Sequence, residues 1–85
     1  MPHPIHDPRY QVVAARLREL REARGWFQHD MADRLGRNQT FVSKYESGIR
    51  RVDVIELLDI LHALGADPHE FIDYVSAPSM SALPR

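Results

Sequence analysis

Residues 28–48, QHDMADRLGRNQTFVSKYESG, constrain the fold of this chain more than any other stretch. Met31, Ala32 and Leu35 recur at helical spacing before a glycine, and Val42 and Tyr45 recur after it. That glycine, Gly36, can take positive φ without a Cβ clash, which ends a helix abruptly. Asn38 follows, with a short side chain able to accept from the free N–H groups of the helix it precedes. The spacing predicts two short helices around a tight corner, with the rest of the chain organised to support them.

Size limits what that support can be. Eighty-five residues make one domain near the lower limit for a chain that folds on its own core. There is no cysteine, hence no disulfide framework and no thiolate metal site. No segment is long or apolar enough to cross a membrane, and no secretory h-region follows Met1, so a cytoplasmic protein is expected. The net charge is only −1, but it is unevenly spread. Residues 9–51 carry ten Lys/Arg against five Asp/Glu, a surplus of +5, whereas residues 52–75 carry six acids and no base. A chain polarised in this way can offer a basic face despite a neutral total.

Around the corner, the helical signals fall in order. Residues 1–6, MPHPIH, read as a flexible arm. Asp7-Pro8 is a cap followed by proline at the first helical position. Tyr10, Val13, Leu17 and Leu20 then form an apolar stripe that runs to about Arg24, where Gly25 stops the helix. The arginines at 9, 16, 18, 21 and 24 on that helix have Glu19 and Glu22 as local partners and are consistent with a solvated face. Downstream, Asp53 caps a fourth helix whose core stripe reads Val54, Leu57, Leu58, Leu61 and Leu64, leaving Ile55 and Ile60 as surplus apolar surface. After Gly65, Asp67-Pro68 starts a fifth helix, with Phe71, Ile72, Tyr74 and Val75 as its apolar face. Residues 76–85, SAPSMSALPR, have no period and are expected to be disordered.

Two helices joined through a glycine corner form a helix-turn-helix, in which the second helix enters the DNA major groove and its first residues reach base edges. Here those residues are Gln39, Thr40 and Phe41, with Lys44 one turn on. Gln39 can pair bidentately with adenine, Thr40 offers a hydroxyl and a methyl, and Lys44 can reach guanine acceptors or a phosphate. Phe41 either packs on thymine methyls or sugars or folds back onto the preceding helix. Ser43 is assigned to the phosphate backbone, as are Arg37 in the turn and the Arg50-Arg51 pair after Gly48; a loop arginine pair can also be plain solvated charge. Gln28 lies at a helix start, where free N–H groups and the dipole favour a phosphate.

The run RGWFQHDMADRLGRNQTFVSKYESG, followed by VDVIELLDILHALGADPHEFI, resembles the lambda-repressor-like (XRE) family of DNA-binding domains. Gln28, Met31-Ala32, Leu35-Gly36, Gln39, Val42-Ser43, Glu46, Gly48 and Ala63-Leu64-Gly65 carry the resemblance, over roughly residues 12–75. It implies an all-α, five-helix domain over residues 7–75, in which Gln28 bridges to the DNA backbone and Arg21 pairs with Glu46 to brace the first helix against the third. Two positions depart from the family pattern. Trp26 stands where a leucine is usual, and Phe27 stands where Thr, Ser or Asn normally caps the second helix. Phenylalanine cannot accept a hydrogen bond, and losing such a cap costs about 1 kcal/mol. Phe27 therefore packs inward or marks a partner surface.

No catalytic constellation stands out. The five histidines lack the paired helical spacing and third ligand of a zinc site, and there is no phosphate loop or nucleophile elbow, so neither metal, cofactor nor enzyme activity is expected. The expected function is sequence-specific binding of double-stranded DNA by a small repressor-like regulator. One helix-turn-helix reads few base pairs, so a homodimer on an inverted repeat is expected, with Ile55, Ile60, Phe71, Tyr74 and Val75 as its surface. The alternative is an antitoxin-like adaptor whose helix-turn-helix binds protein, supported by aromatics Phe27 and Phe41 at positions expected to be polar and exposed.

Overall fold

A computed structural model describes residues 7–81, with side chains to Ala77. The described chain forms five helices: α1 (Pro8–Ala23), α2 (Gln28–Leu35), α3 (Gln39–Ser47), α4 (Val54–Leu64) and α5 (Pro68–Ser81). Their starts are chemically specified. Asp7 accepts from the Arg9 N–H at 2.8 Å, Asn38 from that of Phe41 at 2.9 Å and Asp67 from that of His69 at 2.9 Å. At α4 the capping is reciprocal: Asp53 accepts from the Glu56 N–H at 2.7 Å, and the Glu56 carboxylate accepts from the Asp53 N–H at 3.0 Å. Only half of such an arrangement exists at α2. The Asp30 carboxylate accepts from the Phe27 N–H at 2.8 Å, but the phenyl ring offers nothing in return.

Gly36 and Gly48 end α2 and α3 in the left-handed region, at φ +66° and +82°. At Gly36 only conformation demands glycine, because the space around a Cβ is open. At Gly48 too the left-handed backbone is the main demand, since a Cβ would meet only the terminal amide of the Gln11 side chain of α1, which can swing aside. No glycine follows Gly65. Although Pro78 lies in its last turns, α5 continues past Val75 to Ser81, which corrects the expectation that residues 76–81 lack structure. Extending an existing helix needs no new nucleus, although Pro78 has no N–H to donate to the Tyr74 carbonyl. The arm at 1–6 and residues 82–85 lie outside the described residues.

All five helices contribute to one core: Leu17 from α1, Met31 and Ala32 from α2, Phe41, Val42 and Tyr45 from α3, Ile60, Leu61 and Leu64 from α4, and Phe71 and Val75 from α5. Each fully buried large side chain contributes about 1.5–3 kcal/mol relative to exposure. Burial, reinforced by the neighbouring Glu46 charge, pushes the Tyr45 phenol far above its ordinary range.

The core revises the expected apolar faces. On α4 the inward stripe is Leu57, Ile60, Leu61 and Leu64, while Val54, Ile55 and Leu58 face outward. Either set satisfies three- and four-residue spacing, so periodicity alone could not choose the phase. Ile60, Phe71 and Val75 are buried and are thereby removed from the expected dimer surface. Ile55 and Tyr74 stay exposed, joined by Val54, Leu58 and Ile72.

Candidate nucleic-acid interface

Helix α3 divides cleanly around its axis. Val42, Tyr45 and Glu46 point inward with Phe41, leaving Gln39, Thr40, Ser43, Lys44 and Ser47 on one exposed face. At 100° per residue these five positions form a continuous strip, so four of the expected DNA contacts share one surface. Phe41 does not belong to it. It is 7% exposed and meets Tyr45 edge-on, with ring centroids 5.3 Å apart. Its expected exposure is overturned, and with it a role at base edges. A phenyl ring near the helix N-terminus is close enough to the core to gain more from burial than from water.

Beneath the strip, a chain of polar groups fixes α1, α2 and α3 together. Arg21 donates to both carboxylate oxygens of Glu46, from Nε at 2.7 Å and from Nη2 at 3.0 Å, and from Nη1 to the Trp26 carbonyl at 2.5 Å. The Glu46 bonds, more than any other influence, raise the Arg21 pKa. Glu46 Oε1 also accepts from Gln28 Nε2 at 3.2 Å, and Gln28 Oε1 accepts from Gln39 Nε2 at 3.5 Å. The last contact is at the outer limit for a hydrogen bond, so Gln39 is oriented without being committed. The side chain with the richest base-pairing chemistry is thus tied, through Gln28 and Glu46, to the buried guanidinium.

The cationic flank is arranged differently. Arg50 donates to Glu56 through Nη1 at 3.0 Å and Nη2 at 2.9 Å, and Arg37 lies 3.7 Å from the same carboxylate. Both guanidinium carbons lie over the Phe41 ring, at 3.9 Å for Arg37 and 4.8 Å for Arg50. Phe41 therefore serves as a platform for two cations, a contact worth about 0.5–1 kcal/mol when exposed. The Arg50 bonds, with help from the Asp53 N–H, lower the Glu56 pKa to about 2. Arg51 is exposed, 5.8 Å from the Tyr10 ring centroid, and the Tyr10 hydroxyl donates to the Arg50 carbonyl at 2.7 Å. Arg37, Arg50 and Arg51 thus lie around the loop and turn beside α3.

Sequence reasoning missed Glu56 as the centre of this cluster. Its only visible sign was its position three residues after Asp53, and nothing local announces an arginine partner six residues upstream. The acidic third of the chain is consequently not wholly remote from the basic one.

A short helix, a glycine corner and a second helix whose outward face is polar define a helix-turn-helix of the kind found in DNA-binding regulators. The family model described as "Helix-turn-helix domain" matches residues 12–71, and the chain belongs to that family, in its XRE-like form. Among solved structures it is similar to an XRE-family-like protein from Pseudomonas syringae pv. tomato str. DC3000. The two share 43% identity and a TM-score of 0.79 over 89% of this chain and 93% of the other. It is also similar to the restriction-modification controller protein C.AhdI from Aeromonas hydrophila, at 33% identity and a TM-score of 0.71, over 78% of this chain and 96% of that one. No curated protein matches the chain. Among the described residues, no helix is long and apolar enough to cross a membrane.

Proposed function

We propose that this protein binds double-stranded DNA sequence-specifically through α3 and regulates transcription by occupying an operator. The observation that carries this is the exposed strip of Gln39, Thr40, Ser43 and Lys44, with Gln39 steered from beneath by Gln28. Gln39, Thr40 and Lys44 take base edges, while Gln28, Arg37, Ser43, Arg50 and Arg51 take phosphates. A controller protein among its structural neighbours supports a regulatory role. No catalytic step forms part of this reading.

Two copies on an inverted repeat would read half-sites about 34 Å apart, one helical turn. The exposed apolar residues Val54, Ile55, Leu58, Ile72 and Tyr74 are the proposed contact between copies. Selection from a random duplex pool tests both parts: a recovered inverted repeat supports the dimer, and no enrichment refutes specific recognition. Gln39→Ala should cost about 1–3 kcal/mol on the selected site and little on random duplex. The rival reading, a protein adaptor, loses Phe41 to the core but keeps the exposed Phe27.

A further inference from the structure

Phe27 is placed where folding gains least from it. It is the N-cap of α2, yet its ring cannot accept from the free N–H groups there. It is 69% exposed, so it adds little to the core either. One exposed phenylalanine is unremarkable. This one lines a groove of about 460 Å³ together with Gln28, His29 and Gln39, and so continues the face offered to base edges.

The ring has an aromatic neighbour. Phe27 stacks on His29 with centroids 5.7 Å apart and planes 17° from parallel, and its own N–H is held by Asp30. His29 Nε2 lies 3.5 Å from the same Asp30. The carboxylate of Glu22, which also lines the groove, is engaged by Arg18 at 3.2 Å. An apolar wall beside a polar reading edge, favoured by neither capping nor packing, is where a local rule gives way to a site.

Resting on the DNA-binding reading above, we infer that the Phe27 ring, backed by His29, packs against the deoxyribose edge of the strand beside the base that Gln39 reads. A sugar is present at every nucleotide and carries no charge, so this contact adds affinity without sequence preference and without releasing counterions. Phe27 would then differ from Gln39, whose loss changes specificity, and from the arginines, whose loss changes the salt slope.

Binding of wild type, Phe27→Ala and Phe27→Ser to the selected operator and to a scrambled duplex, by fluorescence anisotropy across a salt series, tests this. Phe27→Ala should weaken both duplexes equally, by about tenfold, with the salt slope unchanged. Phe27→Ser should be weakened similarly while melting about 4–8 °C higher, because it restores the cap. Misfolding cannot then explain the loss. Equal binding by wild type and Phe27→Ala overturns the inference but leaves DNA recognition standing, and directs the ring to a protein partner. A loss confined to the operator, or a changed salt slope, overturns it too, since the contact would be to a base or a phosphate. If wild type binds neither duplex, the inference falls together with the DNA-binding reading.

Discussion

Two arginine–glutamate clasps of nearly the same geometry sit on opposite flanks of α3. Arg21–Glu46 and Arg50–Glu56 are both two-pronged, with contacts between 2.7 and 3.0 Å. Their surroundings differ. The side chains of the first pair are 8% and 2% exposed, those of the second 38% and 17%. Buried, the pair has no alternative partner: the guanidinium must hold Glu46 and the Trp26 carbonyl, and so becomes a strut between helices. At the edge, water and any approaching phosphate compete with Glu56 on nearly equal terms. Geometry alone therefore does not separate a structural pair from a releasable one. Burial does.

The comparison can be broken most directly at the strut. Glu46→Ala leaves a buried, unpaired guanidinium and frees Gln28, and should destabilise the fold by about 3–5 kcal/mol in urea titration. That is a large share of the roughly 5–15 kcal/mol available to a domain. Replacing both partners, with Arg21→Met and Glu46→Leu, should recover much of the loss. It should not recover all, since the Trp26 carbonyl and the Gln28 amide lose their partners. A double variant as unstable as the single one would mean that the charges themselves, and not the orphaned partner, hold the helices.

At the outer clasp the expected effect on folding is much smaller. Glu56→Gln keeps an acceptor for the Asp53 N–H and should destabilise the fold by about 1–2 kcal/mol, solvent screening part of what the lowered Glu56 pKa would otherwise contribute. Its larger effect is expected on DNA. With Arg50 and Arg37 no longer neutralised, duplex affinity at low salt should rise and its salt dependence steepen by about one to two units. A higher affinity with an unchanged slope would mean that both arginines already leave Glu56 for phosphates in the wild-type complex, and no change in either would mean that they stay turned towards α4.

Acid gives the finest test. The folded Glu56 pKa is depressed from 4.5 to about 2, so its contribution is complete above the ordinary value and disappears as pH falls through the depressed one. The stability difference between wild type and Glu56→Gln should therefore be constant above about pH 5 and shrink between about pH 4.5 and 2. A difference that persists to pH 2 would show that the clasp is not the source of the depression.

Much of this was legible in the sequence because it is local. Caps at Asp7, Asn38 and Asp53 act within three residues, and Gly36 ends α2 for reasons internal to the backbone. The exposed strip Gln39, Thr40, Ser43 and Lys44 followed once α3 was placed, since Val42 and Tyr45 set its inward face. Phe41 was harder. One step of helix phase carries it from the groove to the core, and its hydrophobicity suits either. Ile60 and Leu58 pose the same ambiguity on α4, where two stripes share one spacing.

From sequence alone came whatever depends on neighbours along the chain: five helix starts, the glycine corner, the polarised charge and the polar face of the reading helix. Tertiary structure decided what depends on neighbours in space. It chose which phase of α4 turns inward, placed Phe41 beneath two guanidinium groups, and drew Glu56 to Arg50. The reason is that helix spacing specifies a face only to within a residue or so, while burial, which separates a strut from a clasp, is a property of the packed whole.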